Sequence, residues 1–185
     1  MRIGIDIDDT ICRTTEKVNE YMSLYAKDEN IDPLMIMNYE DVKDMFFEAY
    51  LENIYTSVVV KRNAKEVLRR LRKKGNKLFI ITARNNRMCS KITDIESLTR
   101  KWLSDNEIEV DGIFIDCYGE RRADICREQK IDVMIDDDPY NYKMISSNKC
   151  KCLLFDDRER FNLRDDYVTN WLEVEEYIEK LRRAG

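Results

Sequence analysis

Three aspartates follow the first apolar segment of the chain, in the order Asp6-Ile7-Asp8-Asp9-Thr10. Alternate residues of an extended chain point to the same side, so Asp6 and Asp8 can face one small volume at the end of a strand. Two carboxylates this close repel each other unless a hard divalent cation lies between them or one of them is protonated. Because Asp is also common in turns, an exposed acidic turn is the alternative interpretation.

A second acidic segment comes later in the chain. Residues 131–138 read as a buried strand that runs into Asp136, Asp137 and Asp138, with Pro139 next. Proline is favoured at the first position of a helix, so Asp138 is predicted to be a helix N-cap. One cap does not require three aspartates, which leaves Asp136 and Asp137 as candidate functional residues.

A third apolar run, residues 78–81, ends in polar groups, because Thr82 and Arg84 follow it closely. In open α/β sheets, ligands bind beyond the carboxyl ends of parallel strands. A hydroxyl and a guanidinium placed there are suited to a phosphate group. For Arg84, a surface ion pair is an equally good interpretation.

Hydrophobic periodicity predicts an α/β fold with a doubly wound parallel sheet, because strand-like and helical segments alternate. The predicted strands lie at residues 2–7, 77–82, 113–116, 131–136 and 151–155. The predicted helices lie at residues 64–74, 92–104, 122–130, 139–146 and 169–182. Residues 1–12 and 63–185 therefore form the predicted catalytic core.

Residues 13–62 interrupt this alternation and are predicted to form a small helical insert after the first strand. Apolar residues recur there at helical spacing, and Asn38 or Asp41 is a possible helix cap. The helical apolar positions are Val18, Tyr21, Met22, Tyr25, Val42, Met45, Phe46, Ala49 and Tyr50. Most aromatic residues of this segment should form its core, whereas Phe47 or Tyr21 is the candidate for stacking on a nucleobase.

These motifs resemble those of the haloacid-dehalogenase-like (HAD) phosphohydrolases, over nearly the whole chain. The matching residues are Asp6, Asp8 and Thr10 in the first motif, Thr82 in the second, and Asp136 and Asp137 in the fourth. The resemblance implies a Rossmann-like core, and it implies that the helical insert at residues 13–62 is a small cap that covers the active site. Within the superfamily the wording is similar to that of the nucleotidase branch, which includes the 5'(3')-deoxyribonucleotidases.

The third motif of this family is a lysine before the last acidic strand, and the corresponding stretch contains Arg122 instead. Arginine keeps the positive charge, but its planar fork differs from a compact ammonium group. The family role of the lysine is therefore assigned to Arg122. The exchange of lysine for arginine bears on the efficiency of turnover and not on the fold.

The resemblance also implies a mechanism in which Asp6 attacks phosphorus and forms an aspartyl-phosphate. Asp8 is then the general acid and base, which calls for a raised pKa. Thr82 binds a phosphoryl oxygen, and Arg122 supplies positive charge. Mg²⁺ is the expected cofactor, and its implied ligands are the Asp6 side chain, the Asp8 backbone carbonyl and Asp137, with Asp136 close by.

Composition excludes several other classes of protein. The 185 residues include no histidine, and the six cysteines show no Cys-x-x-Cys spacing, which argues against zinc sites and serine–histidine triads. The net charge of −5 argues against a polymeric nucleic acid as partner. No signal-peptide pattern or membrane-length apolar run is present, so we expect a cytoplasmic location and no membrane partner.

The expected partner is a small phosphorylated substrate, and a nucleotide is the first choice. A phosphatase of sugar phosphates or other small metabolites would use the same core residues. A phosphate-binding or sensing module with little turnover is the third possibility, because Arg122 replaces the family lysine.

Overall fold

The computed structural model describes residues 1–148, 150–161 and 166–184. A six-stranded sheet forms its centre, with strand order β3-β2-β1-β4-β5-β6 and parallel pairing throughout. The strands are β1 (Arg2–Ile5), β2 (Lys77–Ile81), β3 (Gly112–Phe114), β4 (Val133–Asp136), β5 (Lys151–Phe155) and β6 (Tyr167–Val168). This is the doubly wound α/β fold that the sequence predicts.

Helices connect the strands and cover both faces of the sheet. They are α1 (Thr14–Glu29), α2 (Pro33–Asn38), α3 (Glu40–Ser57), α4 (Ala64–Lys73), α5 (Ile95–Asp105), α6 (Glu120–Glu128), α7 (Pro139–Ser147) and α8 (Trp171–Ala184). The predicted elements agree with these to within a few residues, and the two-residue strand β6 was not predicted.

Two apolar clusters hold the helices on the sheet. Leu78 and Ile80 of β2 belong to a cluster shared with α4, α5 and α8, whereas Phe79 and Ile81 belong to one shared with α6 and α7. Because successive strand residues point to opposite faces, this division follows directly from a strand that is apolar at every position. The sheet is therefore buried on both sides.

Helices α1, α2 and α3 lie within the predicted insert and share a separate apolar cluster. Tyr25 and Phe46 are buried in it, as the helical spacing predicts, but Met45 is 60% exposed. The prediction of an Asn38 or Asp41 cap is wrong, because Tyr39 is the N-cap of α3 and makes no side-chain capping bond. That these helices act as a cap over the core formed by residues 1–12 and 63–185 stays a prediction.

The order of the strands reverses between β1 and β4, which lie side by side at the centre of the sheet. In doubly wound folds a crevice opens at this point, beyond the carboxyl ends of the strands. Both acidic segments follow these two strands, so the fold brings them to one place. Among the described residues, no helix is long and apolar enough to cross a membrane.

Candidate active site

Asp6 and Asp136 lie next to each other where β1 and β4 end. The Asp6 backbone amide donates to the Ile135 carbonyl oxygen at 2.9 Å, which extends the pairing of the two strands by one residue. Both side chains are buried, with 6% of Asp6 and none of Asp136 exposed. Two carboxylates that are buried away from solvent need a positive charge close by.

Arg122, in the first turn of α6, supplies that charge. Its Nη2 lies 2.8 Å from Asp6 Oδ1, and its Nη1 pairs with Asp136 Oδ2. Its Nε donates to the Cys117 carbonyl oxygen at 2.9 Å. All three guanidinium nitrogens are thus used, and Arg122 lies beside Asp6, the predicted nucleophile. Its role as the third-motif cation stays a prediction.

Asp137 completes a cluster of three carboxylates. One oxygen each of Asp6, Asp136 and Asp137 lies within 4.8 Å of the others. The Thr10 hydroxyl lies 3.5 Å from Asp137 Oδ1, and Arg160 Nη2 lies 3.6 Å from its Oδ2. Several carboxylate oxygens converging on one small volume are the donors that Mg²⁺ takes, so these residues fit the implied cation.

The protonation of this cluster reflects its burial. Burial raises the pKa of Asp6 well above its ordinary value; Arg122 opposes the rise, and the neighbouring aspartates reinforce it. Burial also raises the pKa of Asp136, against the effect of Arg122. For Asp137, burial and the Asp136 charge raise the pKa to about 7. A bound cation would favour the ionised form of all three.

Asp8 points to a different set of partners. Arg84 Nε donates to Asp8 Oδ2 at 2.9 Å, Arg84 Nη2 donates to Oδ1 at 2.7 Å, and the Thr14 hydroxyl donates to Oδ1 at 2.6 Å. Burial alone would raise the pKa of Asp8, but the Arg84 charge and these hydrogen bonds lower it below its ordinary value. The expectation of a raised pKa for Asp8 is therefore wrong.

The carboxylate of Asp8 is also not among the three clustered carboxylates. Its predicted contribution to metal binding, through the backbone carbonyl oxygen, stays a prediction.

Arg84 is a buried residue, and the interpretation as a surface ion pair is wrong. Its side chain has no exposed surface, and its guanidinium carbon lies 3.9 Å from the centre of the Tyr55 ring. The Nη1 atom is buried and has no hydrogen-bond partner among the described residues. Arg84 therefore acts on Asp8 directly, and contact with a phosphate would require the pair to rearrange.

Thr82 lies directly after β2 and is fully buried. Its hydroxyl oxygen accepts a hydrogen bond from the Arg84 backbone amide at 3.3 Å, while its own amide donates to the Phe114 carbonyl oxygen. Among the described parts of the chain, no acceptor for the hydroxyl proton is found, so this proton could be donated to an anion. The role of Thr82 in phosphate binding stays a prediction, because Ala83 rather than Thr82 lines the neighbouring cavity.

A cavity of about 340 Å³ opens above the carboxylates. Its lining consists of Asp6, Asp8, Asp9, Ala83, Tyr118, Arg122, Asp136, Asp137, Asp138, Pro139, Asn141 and Arg160. Both acidic segments contribute to it, together with residues of α6 and α7. The volume suits a small phosphorylated molecule, and a bound cation would reduce the repulsion between ionised carboxylates and a phosphate.

Phe47 and Tyr21 do not line this cavity. Both are partly buried against the apolar cluster of the insert, where Phe47 packs on Phe46 with ring centres 5.2 Å apart and Tyr21 packs on Tyr50 at the same distance. Their placement is that of residues packed in the core of the insert. The prediction that one of them stacks on a nucleobase has no support from their position here.

Solved structures with the same arrangement of elements belong to one fold. A haloacid dehalogenase-like hydrolase from Streptococcus pneumoniae superposes with a TM-score of 0.67 and 12% identity over 96% of this chain and 97% of that chain. The chain has the haloacid-dehalogenase-like fold. YfnB of Bacillus subtilis, provisionally named a HAD-hydrolase and solved with bound magnesium, also superposes with a TM-score of 0.67. Its sequence is 13% identical, and the superposition covers 96% of this chain and 97% of that chain.

Comparison of the sequence with curated proteins finds distant relatives. No family model matches the chain. A Bacillus cereus protein whose provisional name is nucleotidase is 25% identical over 97% of this chain and 99% of its own length.

Within this haloacid-dehalogenase-like fold, the cavity residues that were not predicted from the sequence include Asn141, Arg160 and Tyr118. Asn141 Nδ2 donates to Asp136 Oδ1 at 3.3 Å, and Arg160 Nε donates to Asp156 Oδ1 at 2.9 Å beside Asp137. Tyr118 stands at the rim with 53% of its surface exposed. Asp138 caps α7 as predicted, because its carboxylate accepts from the Tyr140 amide at 2.7 Å. Loop residues such as Tyr118 and Arg160 carry no periodicity that would reveal them.

Proposed function

We propose that the chain is a magnesium-dependent phosphomonoesterase that acts through an aspartyl-phosphate on Asp6, with nucleoside monophosphates as its substrates. The observation that carries this proposal is the position of Asp6. Its carboxylate lies in the cavity within 4.8 Å of two further carboxylates and 2.8 Å from the Arg122 guanidinium. A nucleophile, ligands for a cation and a fixed positive charge are the components that phosphoryl transfer requires.

In the first step, an Asp6 oxygen attacks phosphorus and the bond to the ester oxygen breaks. Arg122 offsets the charge of Asp6 and of the phosphate. Bound Mg²⁺ would be held by Asp6, Asp136, Asp137 and the Asp8 carbonyl oxygen, and would reduce the repulsion between nucleophile and phosphate. Thr82 has a hydroxyl proton with which to bind a phosphoryl oxygen.

Asp8 moves the protons. The leaving oxygen takes a proton from Asp8, and in the second step Asp8 takes a proton from the water that attacks phosphorus and releases Asp6. The ionised state held by Arg84 suits this second step. The first step needs protonated Asp8, and the negative charge of an incoming phosphate raises the pKa of Asp8 in that direction.

Nucleoside monophosphates are proposed as substrates on two grounds. The Bacillus cereus relative is provisionally named a nucleotidase, and Tyr118 provides an aromatic ring at the rim of the cavity. A sugar-phosphate phosphatase would need no such ring. The two alternatives therefore differ in whether the base contributes to catalytic efficiency.

Phosphate release from AMP, dTMP and ribose 5-phosphate, with Mg²⁺ and with excess chelator, tests the proposal. We expect turnover only with metal and a preference for the nucleotides. Asp6→Asn should abolish release, whereas the same exchange at Asp105, an exposed residue paired with Lys101, should leave it unchanged. Turnover by Asp6→Asn at the wild-type rate would exclude the covalent mechanism. Equal efficiency on ribose 5-phosphate would favour the sugar-phosphate alternative.

A further inference from the structure

Tyr118 and Tyr140 form a stacked aromatic pair at the rim of the acidic cavity. Their ring centres are 5.5 Å apart with an angle of 26° between the planes. Tyr118 is 53% exposed and Tyr140 is 48% exposed. One ring therefore supports the other, and a large apolar surface remains open to solvent beside the candidate active site.

The pair is fixed to the backbone that carries the site. Gly119 lies between Tyr118 and the start of α6 with φ of +56°, and a Cβ at this position would come within 2.9 Å of Tyr140 Cε1. Its amide donates to Asn141 Oδ1 at 2.9 Å, and the Asn141 amide group donates to Asp136. The aromatic pair and the Asp136 carboxylate are thus connected through Gly119 and Asn141.

The rest of the cavity offers little to an apolar group. Its lining includes six aspartates and two arginines, and Tyr118 is its one aromatic residue among those described. Charged residues serve the phosphate and the cation, whereas a flat ring is suited to stacking on a base. Each stacked base typically contributes about 1–3 kcal/mol.

We propose that Tyr118, supported by Tyr140, is the surface on which the nucleobase of the substrate stacks. The inference rests on the proposed function and assigns base recognition to the loop before α6 rather than to Phe47 or Tyr21 of the helical insert. Tyr118 is then a specificity-determining residue, since it contacts the part of the substrate that distinguishes a nucleotide from a sugar phosphate.

Binding of AMP and of ribose 5-phosphate, measured by calorimetry with Mg²⁺ in the Asp6→Asn background, tests this assignment without turnover. Adding Tyr118→Leu should weaken AMP binding by about 5- to 150-fold, which corresponds to the loss of one stacked base. The affinity for ribose 5-phosphate should change less than twofold. Tyr118→Phe keeps the ring and should retain the AMP affinity.

Two matched variants complete the experiment. Tyr39→Leu removes an aromatic side chain that is 58% exposed and does not line the cavity, and it should not change either affinity. Phe47→Leu tests the insert in the same way. Loss of AMP affinity in Phe47→Leu but not in Tyr118→Leu would overturn the inference, as would equal binding of AMP and ribose 5-phosphate by the parent. Phosphate release by the wild-type protein would in either case keep the phosphatase proposal standing.

Discussion

Arg84 holds the Asp8 carboxylate with two hydrogen bonds, of 2.9 Å from Nε and 2.7 Å from Nη2. The guanidinium is fully buried and charged at all accessible pH values, so it favours the ionised form of Asp8. Two aspartates separated by one residue therefore have opposite environments. The pKa is raised for Asp6 and lowered for Asp8.

The Arg84–Asp8 pair leads to a prediction about stability. Asp8→Asn should lower the free energy of unfolding by about 1–3 kcal/mol, because an amide leaves the buried Arg84 charge without its carboxylate partner. It should also severely reduce phosphate release, because an amide cannot exchange the proton. Urea unfolding followed by circular dichroism measures the first effect.

The double variant Asp8→Asn with Arg84→Met provides the control. It removes both charges of the pair and leaves no unpaired Arg84 charge, so it should be more stable than Asp8→Asn alone. If the two variants unfold at the same urea concentration, the unpaired Arg84 charge costs no measurable stability, contrary to this prediction.

The raised pKa of Asp137 predicts a stability that depends on pH and metal. Its pKa is about 7 in the folded protein and ~3.9 in an unfolded chain. Above pH ~3.9 the unfolded state loses this proton first, so the cost to folding grows with pH and is complete above about pH 7. In metal-free protein, Asp137→Asn should therefore raise Tm at pH 8 and much less at pH 4.5.

The expected rise in Tm is about 2–4 °C for each kcal/mol gained when the buried ionised carboxylate is removed, and differential scanning fluorimetry is sufficient to detect it. Added Mg²⁺ at pH 8 should raise the Tm of the wild type more than that of Asp137→Asn. Asp105→Asn, on the surface of α5, should show neither effect. An equal change in Tm at both pH values would show that Asp137 has an ordinary pKa.

The oxygen ligands predict which metals restore activity. After exhaustive chelation, Mg²⁺ should reactivate phosphate release and Ca²⁺ should do so poorly. Three clustered carboxylates and water suit the octahedral coordination of Mg²⁺, whereas Ca²⁺ takes more ligands at longer distances. A titration of activity with each metal at fixed substrate measures this. Full activity in the chelated protein would contradict the metal assignment.

The elements predicted correctly are those with a strong local pattern in the sequence. Apolar strands such as β1 and β4, and the acidic residues that follow them, including Asp137, were visible because burial on both faces leaves apolar runs. Strand β6 has only two residues, too few to show a period. The predicted direction of the Asp8 pKa shift was wrong because the burial of Arg84 depends on packing between distant segments.

The aromatic residues show a second limit of the same kind. Tyr21 has the helical spacing of a core residue and Phe47 departs from it, yet both pack in the insert, whereas Tyr118 belongs to a loop that no periodicity marks. Only the fold reveals which aromatic ring faces the acidic cavity.

Arg122 gives the last prediction, because the site uses its whole fork. Nη1 and Nη2 each pair with a different carboxylate, and Nε donates to the Cys117 carbonyl oxygen at 2.9 Å. A lysine has one nitrogen and cannot occupy three positions, so Arg122→Lys should lose activity although lysine is the family residue. Each lost charge-assisted hydrogen bond typically costs about 1.5–3 kcal/mol.

Arg122→Ala should lose more, because Asp6 and Asp136 would remain buried without a counter-charge. Both variants should be assayed for phosphate release and for thermal unfolding, with Arg121→Lys on the exposed side of α6 as the matched control. Activity in Arg122→Lys equal to or above that of the wild type would mean that the site needs only a positive charge. Wild-type behaviour of Arg122→Ala would remove Arg122 from the mechanism and leave the role of the third motif to another cation between Thr82 and Asp136.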